Sequence, residues 1–475
     1  MFLNGARETA PETWDDKKLN KFLFDKFGLS LPLHEGDERA NCDTIGMEKG
    51  GIRSIISPSL ASRIGHLFDM VICDEAHVCC NLSANVTKSL IRLQPKYRWA
   101  LTATPIPNIV SNLFSLMGWI AVPGWYKNHV RNAAWPYARN ELGKFEGVFL
   151  SQERDFTQER LNKIADKNWS GTCTKVSPVI SSPARLLKLL KPSMAYIGKE
   201  AVNPAYIKPE VVDVRVALGQ EQAKLYSWYL NRGHIPGKHP LVRARKQTAW
   251  LRNICADPAG FSHGDTHTPK VGSNMNPKVI AILELTRDIL REGEQVVIVN
   301  SRLGLTNTLQ SRLAEAGVPI ARIDSTTTSQ HAYQSNLFKK GKARVLLMGL
   351  KCAAAYSFDQ CKYLIIGSIE YSPGSFNQAM GRIDRVTNAV KKKIYCILHK
   401  DTIEEVMFDV VATKDDAATI CLKGQRTPRE FRPVDPSEIL ATALDRFDMT
   451  GSKPEVDCEA EWPKLRDAIA AALTK

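Results

Sequence analysis

No stretch of this sequence approaches the ~20 consecutive apolar residues that a bilayer-spanning helix needs, so no membrane partner is expected. The first residues, MFLNGARETAPETWDDKK, have no basic start followed by an apolar core, which argues against a secretory signal. The expected location is therefore intracellular: cytoplasmic if the source is prokaryotic or viral, nuclear if it is eukaryotic. The eleven cysteines are odd in number, scattered and without a single C-x-x-C pair, so neither a zinc module nor a disulfide framework is suggested. Cys73, Cys361 and Cys396 lie in apolar runs, where a thiol is usually a small buried hydrophobe. There is no internal repeat and no long low-complexity stretch. Nor is there a G-x-x-x-x-G-K-[ST] loop: the GK pairs at 143–144, 198–199, 237–238 and 341–342 are followed by Phe145, Glu200, His239 and Ala343. The sequence thus lacks the ring of backbone N–H groups and the lysine with which that loop cradles phosphates.

What is present is a globular composition, 44% hydrophobic and 24% charged, in a chain of 475 residues that is too long for one ordinary core. The net charge of +14 is uneven: residues 401–475 hold 16 acidic and 10 basic side chains, a net of −6, which leaves +20 on residues 1–400. A surplus of that size suits a polyanionic partner, whose counterions Lys and Arg displace. A well-solvated basic surface is the plainer alternative.

Short apolar runs followed by a polar loop and a helical pattern recur, the signature of parallel strands in an α/β sheet. They are Leu67–Cys73 and Trp99–Thr102 early in the chain, then Val296–Val299, Val345–Met348, Tyr363–Ile366 and Ile394–Leu398. Runs so continuously apolar predict strands covered on both faces by helices. Residues 121–185 break the pattern, 186–232 turn helical, and Pro, Gly, His and Thr crowd 235–240 and 257–277. After about residue 411 the chain becomes acidic with alanine-rich helical stretches. The expected order is an α/β lobe over 1–125, a helical insertion with linker over 126–276, a second α/β lobe over 277–410, and an acidic helical tail over 411–475.

Three segments carry chemistry. The run ending in Cys73 is followed by Asp74-Glu75-Ala76-His77, two adjacent carboxylates at the carboxyl end of a predicted parallel strand, where such sheets bind ligands. An Asp there can hold Mg²⁺ through water, and the neighbouring Glu can orient and deprotonate an attacking water. A solvated acidic turn would read the same way. Next, Thr102-Ala103-Thr104-Pro105 ends a second apolar run with hydroxyls able to hydrogen-bond a carboxylate or a phosphate-linked water, or simply to form a Thr/Pro turn. In the last third, Gln378, Arg382 and Arg385 fall at i, i+4 and i+7, one face if the segment is helical. Two guanidiniums and an amide on one stripe suit a triphosphate. A basic face paired with acids such as Asp384 is the alternative.

Taken in order, these segments resemble the helicase motifs of superfamily two, and more narrowly the Swi/Snf-type ATPases. Asp74–His77 resembles motif II, Leu101-Thr-Ala-Thr-Pro-Ile-Pro-Asn108 resembles that family's motif III, and Asn112–Leu116 the helix after it. Lys191–Met194, Gln220–Tyr226 and Leu251–Pro258 resemble further family segments. Val296–Ser301 is similar to motif IV, Gln378–Arg385 to motif VI, and Asp401–Glu405 to the segment that follows. The resemblance spans roughly residues 10 to 410. It implies two RecA-like lobes of the P-loop-NTPase type, each built on a parallel sheet, with a helical insertion and an α-helical C-terminal tail. It also implies ATP and Mg²⁺ as cofactors, no other small-molecule substrate, and double-stranded DNA as partner. In the family ATP sits between the lobes and its hydrolysis drives tracking along duplex DNA. Carried over by position, Asp74 would hold Mg²⁺ through water and Glu75 would activate water. Arg382 and Arg385 would stabilise charge on the γ-phosphate, and Gln378 would help to position the second lobe. His77, Thr102 and Thr104 would couple nucleotide state to closure.

The departures are equally specific. The phosphate-binding loop is absent, while Ala10-Pro11 and Trp14 faintly resemble the segment that normally follows it. Lys351–Phe358 stands where motif V has glycines and an Asn, and Thr387-Asn388 replaces the usual Gly-Gln after motif VI. The favoured expectation is a DNA translocase whose loop is supplied by an upstream part. The alternatives are a non-hydrolysing DNA- or protein-binding module, and an ATP site built some other way. The acidic tail is a candidate contact for a protein partner.

Overall fold

The computed structural model describes residues 67–126, 129–154, 174–231, 240–261, 268–368, 370, 372–423, 436–447 and 457–474, with short pieces before residue 67. The Ala10-Pro11 and Trp14 resemblance, and residues 235–239 and 262–267 of the Pro- and Gly-rich stretches, lie outside the described residues. The chain divides into two compact α/β units, residues 1–195 with 417–426 and residues 196–416 with 427–475.

In the first unit β1 (Arg7–Glu8), β2 (Thr44–Glu48) and β3 (Gly51–Ile56) form a small antiparallel sheet ordered β1-β3-β2. β4 (Met70–Cys73) pairs in parallel with β5 (Tyr97–Ala100), Met70 opposite Tyr97 and Ile72 opposite Trp99. Between them runs α1 (Asn85–Arg92), and after β5 come α2 (Leu113–Ala121) and α3 (Leu142–Phe149). A hairpin of β6 (Leu150–Arg154) and β7 (Thr174–Ile180) leads to α4 (Pro183–Leu190), which opens on a proline that fits a helix's first turn. The core here is aromatic: Trp119, Trp125 and Trp135 are fully buried and Phe114 and Phe145 pack among them. The indole N–H groups of Trp119 and Trp125 are satisfied by the carbonyls of Leu93 and Tyr137, as buried indoles require.

The expectation that apolar strands are covered on both faces fails for β4 and β5. Val71, Cys73 and Ala100 turn toward the aromatic core, whereas Met70, Ile72, Tyr97 and Trp99 are 42%, 55%, 53% and 57% exposed. Successive strand residues point to opposite faces, so a run apolar at every position offers two apolar faces, of which the core of this unit takes one.

The second unit carries a six-stranded, wholly parallel sheet in the order β10-β11-β9-β12-β13-β8. Its strands are β8 (Glu210–Val216), β9 (Val296–Asn300), β10 (Ile320–Ile323), β11 (Val345–Gly349), β12 (Tyr363–Ile366) and β13 (Lys393–His399). β9, Val-Val-Ile-Val-Asn, is buried along its whole length, and here both faces of the sheet are covered as the sequence predicts. The edge strand β8 is absent from the sequence reading because its exposed Val211 and alternating charges hide the apolar signal. The longer helices up to residue 380 are α5 (Gln220–Asn231), α6 (Pro240–Ala256), α7 (Pro277–Arg291), α8 (Leu303–Glu315), α9 (His331–Lys339) and α10 (Pro373–Met380). α7 starts cleanly: the Asn276 side chain accepts the N–H groups of Lys278 and Val279, and Pro277 takes the first helical position.

Three further helices follow: α11 (Ile403–Lys423), α12 (Pro436–Arg446) and α13 (Cys458–Ala472). The tail is helical as expected, and α12 and α13 are built into this unit. Ile439 and Ala443 enter one face's core, and Trp462, Leu465 and Ile469 the other's.

Candidate active-site residues in each unit

In the first unit the functional side chains gather where β4 and β5 end side by side. Leu101 N–H donates to Cys73 C=O and Ala76 N–H to Leu101 C=O, 2.8 and 3.0 Å, so the two strand exits are tied together. Asp74 is exposed and its Oδ1 accepts the Glu75 N–H at 2.9 Å, which fixes the carboxylate over the turn. Glu75 has φ 48° and ψ 42°, the left-handed region that a side chain with Cβ occupies at a cost of about 1 kcal/mol or more. That backbone aims the carboxylate back at His77, whose Nδ1 lies 3.2 Å from Glu75 Oε2 and 3.1 Å from Thr102 Oγ1. Burial lowers the pKa of His77 below its ordinary value, against the opposing pull of Glu75, so the ring is neutral near pH 7. One Nδ1–H shared between the carboxylate and the hydroxyl accounts for both distances. Thr102 Oγ1 also accepts the Thr104 N–H at 3.1 Å, and Thr104 Oγ1 is buried without a hydrogen-bond partner. All five residues singled out in this half of the sequence therefore share one cluster. No local pattern marks the left-handed Glu75 or the orphaned Thr104 hydroxyl.

In the second unit the helical stripe expected for Gln378, Arg382 and Arg385 is not formed. α10 stops at Met380, so only Gln378 is helical and the two arginines lie in the turn beyond Gly381. Arg382 is 7% exposed, and its guanidinium donates from Nε to Gln378 C=O at 2.9 Å and from Nη1 to Tyr356 C=O at 2.6 Å. Arg385 donates from Nε to Ser357 Oγ at 2.8 Å. Both arginines are thereby bound to residues 356–357, inside the segment whose sequence departs from motif V. Asp384, the acid expected to neutralise a basic face, instead takes Lys199 Nζ at 2.6 Å and the Tyr206 hydroxyl at 2.8 Å. These two partners lie 185 and 178 residues upstream, beyond the reach of local pattern reading.

Comparison with known proteins matches residues 55–258 to the SNF2-related domain and residues 277–387 to the helicase conserved C-terminal domain. The chain belongs to the SNF2 family of superfamily-two ATPases. Its relatives include the Arabidopsis thaliana protein CHROMATIN REMODELING 24, 19% identical over 82% of this chain and 38% of that protein. The Gallus gallus DNA repair and recombination protein RAD54B is 22% identical over 74% of this chain and 40% of its own length. The Saccharomyces cerevisiae ISWI chromatin-remodeling complex ATPase ISW1 is 19% identical over 76% and 30%. The SNF2-family chain thus spans about two fifths or less of the length of these relatives. A solved Sulfolobus solfataricus SWI2/SNF2 ATPase core in complex with dsDNA overlays with a TM-score of 0.35 at 17% identity, covering 76% of this chain and 71% of that one.

The SNF2-family residues fit one of the two groups the family implies. Exposed Asp74, with one oxygen turned to a backbone N–H, offers a hard oxygen donor of the kind that holds Mg²⁺ through water. Among the described residues no three His, Cys, Asp or Glu side chains converge on a position for a metal ion. The triphosphate is not provided for in the same way, because the sequence has no phosphate-binding loop. No helix among the described residues is long and apolar enough to cross a membrane.

Proposed function

We propose that this SNF2-family chain serves an ATP-driven translocase on double-stranded DNA and contributes its catalytic carboxylates and arginines. The observation that carries the reading is the cluster at the ends of β4 and β5, where Glu75 is held by its own strained backbone and by His77, itself bonded to Thr102. In this role Asp74 would hold Mg²⁺ through water, which would supply positive charge opposite the phosphates. Glu75 orients and deprotonates the attacking water, with neutral His77 donating to its carboxylate and setting its direction. Thr102 links that carboxylate to the β5 exit, which gives motif III a path for reporting nucleotide state. Gln378 supports the Arg382 turn, and Arg382 and Arg385 stabilise charge on the γ-phosphate once released from their carbonyl and hydroxyl partners. The +20 surplus on residues 1–400 supports a duplex DNA partner read through its backbone.

A second reading, a non-hydrolysing DNA-binding module, is favoured by the missing loop and by Arg382 being spent on two main-chain carbonyls. Phosphate release and DNA binding separate the two. Both readings expect duplex binding that weakens steeply with salt and shows little sequence preference. Salt-insensitive binding, or none at low salt, sinks both. The translocase reading expects negligible turnover from the 475 residues alone, because phosphoryl transfer depends on holding the phosphate in place. It expects DNA-stimulated turnover once a Gly-Lys-Thr-loop segment is supplied, and loss of that turnover in Glu75→Gln. No turnover in the supplemented protein would leave the binding module standing.

A further inference from the structure

α10 ends at Met380, and the two arginines that follow lie in a turn whose backbone carbonyls still need donors. A helix continued past Met380 would satisfy each carbonyl from the N–H four residues on. Here every carbonyl from Arg382 to Val386 is satisfied by other means. Arg382 C=O accepts the Phe358 N–H at 2.8 Å, and Arg385 C=O accepts the Asn388 N–H at 2.9 Å. The other three take side-chain donors. Ile383 C=O accepts from Lys392 Nζ at 2.6 Å, Asp384 C=O from Lys199 Nζ at 2.8 Å, and Val386 C=O from Asn203 Nδ2 at 2.9 Å.

Lys199 and Asn203 belong to the stretch by which the chain enters the second unit, at Tyr196. That stretch grips the turn at more than its carbonyls. Lys199 Nζ also reaches Asp384 Oδ2 at 2.6 Å, and Asp384 Oδ1 accepts the Tyr206 hydroxyl at 2.8 Å. Burial and the Asp384 carboxylate raise the pKa of Tyr206, so its hydroxyl remains a donor. Asn388 and Ile207 exchange two bonds, Asn388 Nδ2 to Ile207 C=O at 2.7 Å and Ile207 N–H to Asn388 C=O at 2.9 Å. The guanidiniums of Arg382 and Arg385 are held elsewhere, by Tyr356, Ser357 and the Gln378 carbonyl. One stretch thus holds the turn at Asp384, Val386 and Asn388, while different partners hold its guanidiniums.

We propose that Lys199 and Asn203 are positioning residues for Arg382 and Arg385: they keep the turn a turn, so that the guanidiniums can leave Tyr356 and Ser357 for a phosphoryl group while the backbone beneath them stays in place. The phosphoryl group rests on the translocase reading; the grip rests on this unit's own bonds. Releasing both guanidiniums gives up the three bonds to Gln378, Tyr356 and Ser357 and leaves the carbonyl bonds of Asp384 and Val386 intact. A backbone fixed beforehand needs no reordering during the reaction, and alignment is a large part of what phosphoryl transfer requires. Lys199 and Asn203 act through the turn and not on the phosphate.

Hydrogen exchange of the full chain, read by mass spectrometry, tests the grip. Lys199→Met and Asn203→Ala should each speed exchange about tenfold in peptides covering Ile207, Phe358 and Asn388, whose N–H groups bond to carbonyls of this turn, while peptides from β9 and β11 keep parent rates. Lys199→Arg, which keeps a cationic donor, should stay near the parent. DNA-stimulated phosphate release by the chain supplemented with a Gly-Lys-Thr-loop segment tests the positioning. Lys199→Met and Asn203→Ala should lower kcat about tenfold or more with KM for ATP within about twofold of the parent, and Lys199→Arg should restore most of the rate. If the supplemented parent releases no phosphate, the translocase reading ends, and the exchange rates alone uphold or overturn the grip. Parent-like exchange in Lys199→Met and Asn203→Ala, loosening that spreads to β9 and β11, or faster exchange at the turn with kcat unchanged overturns the proposal.

Discussion

Gly118 shows how a local rule and a packing rule can oppose one another at a single residue. It lies inside α2, where replacing glycine by alanine ordinarily stabilises a helix by about 1 kcal/mol. A Cβ there would stand 2.2 Å from the Trp125 indole, itself fully buried among Phe114 and Trp135. Overpacking on that scale costs about 1–3 kcal/mol, so Gly118→Ala should lower stability on balance. Urea denaturation followed by tryptophan emission decides the sign; a stabilised variant would show that the indole can move aside. The same division governs what could be read from sequence at this scale. Asp74, Glu75, His77, Thr102 and Thr104 were legible because each follows an apolar run that must end at a strand's edge. The left-handed backbone of Glu75 and the partners of Arg382 were not, because each goes with a tertiary contact, Ala76 N–H to Leu101 C=O beside Glu75 and Arg382 to Tyr356 C=O, that no local pattern marks.

At the scale of elements, five of the six strands of the second sheet sit in a buried layer, and four of them announced themselves as apolar runs. β8 and β10 did not, being short or half-polar, and no periodicity marks a strand whose partner, β13, is contributed from 183 residues further on. β4 and β5 were recognised as strands, but their outer face was misjudged. With Met70, Ile72, Tyr97 and Trp99 exposed, this parallel pair presents a contiguous apolar surface of the kind that binds hydrophobic dyes and promotes association. Trp99 gives it a spectroscopic handle. Subtracting the emission of Trp99→Phe from that of the parent should isolate a red-shifted component readily quenched by acrylamide, whereas Trp119, Trp125 and Trp135 should resist quenching. A blue-shifted, quench-resistant difference spectrum would mean that this face is covered in solution.

For the molecule as a whole, the most consequential polar group is buried in the second unit. His399 is fully buried, and burial, aided by Lys278, holds its pKa at about 4, although Glu404 pulls upward. Lys278 Nζ in turn bonds both oxygens of Glu404 at 2.6 Å, and Glu404 Oε2 accepts the His399 N–H at 2.9 Å. A histidine whose folded pKa lies below its unfolded value near 6.5 contributes stability that is fully present above that pH and is lost as pH falls toward 4. The shift corresponds to a loss on the order of 3 kcal/mol across that window. His399→Gln should flatten the dependence of unfolding free energy on pH between 7 and 4 by about that amount. An unchanged pH profile would place the acid sensitivity in the carboxylates instead.

The way α13 closes the second unit also bears on the order in which the protein can be made. Ser273 donates to Glu459 across 186 residues, and Trp462 to Glu315 across 147, while Trp462, Leu465 and Ile469 complete the layer against α7. A ribosome therefore releases all six strands of the sheet before the helix that seals one face of it exists. Until α13 emerges, the nascent chain carries an uncovered apolar layer, a period in which chaperones rather than native contacts keep it from aggregating.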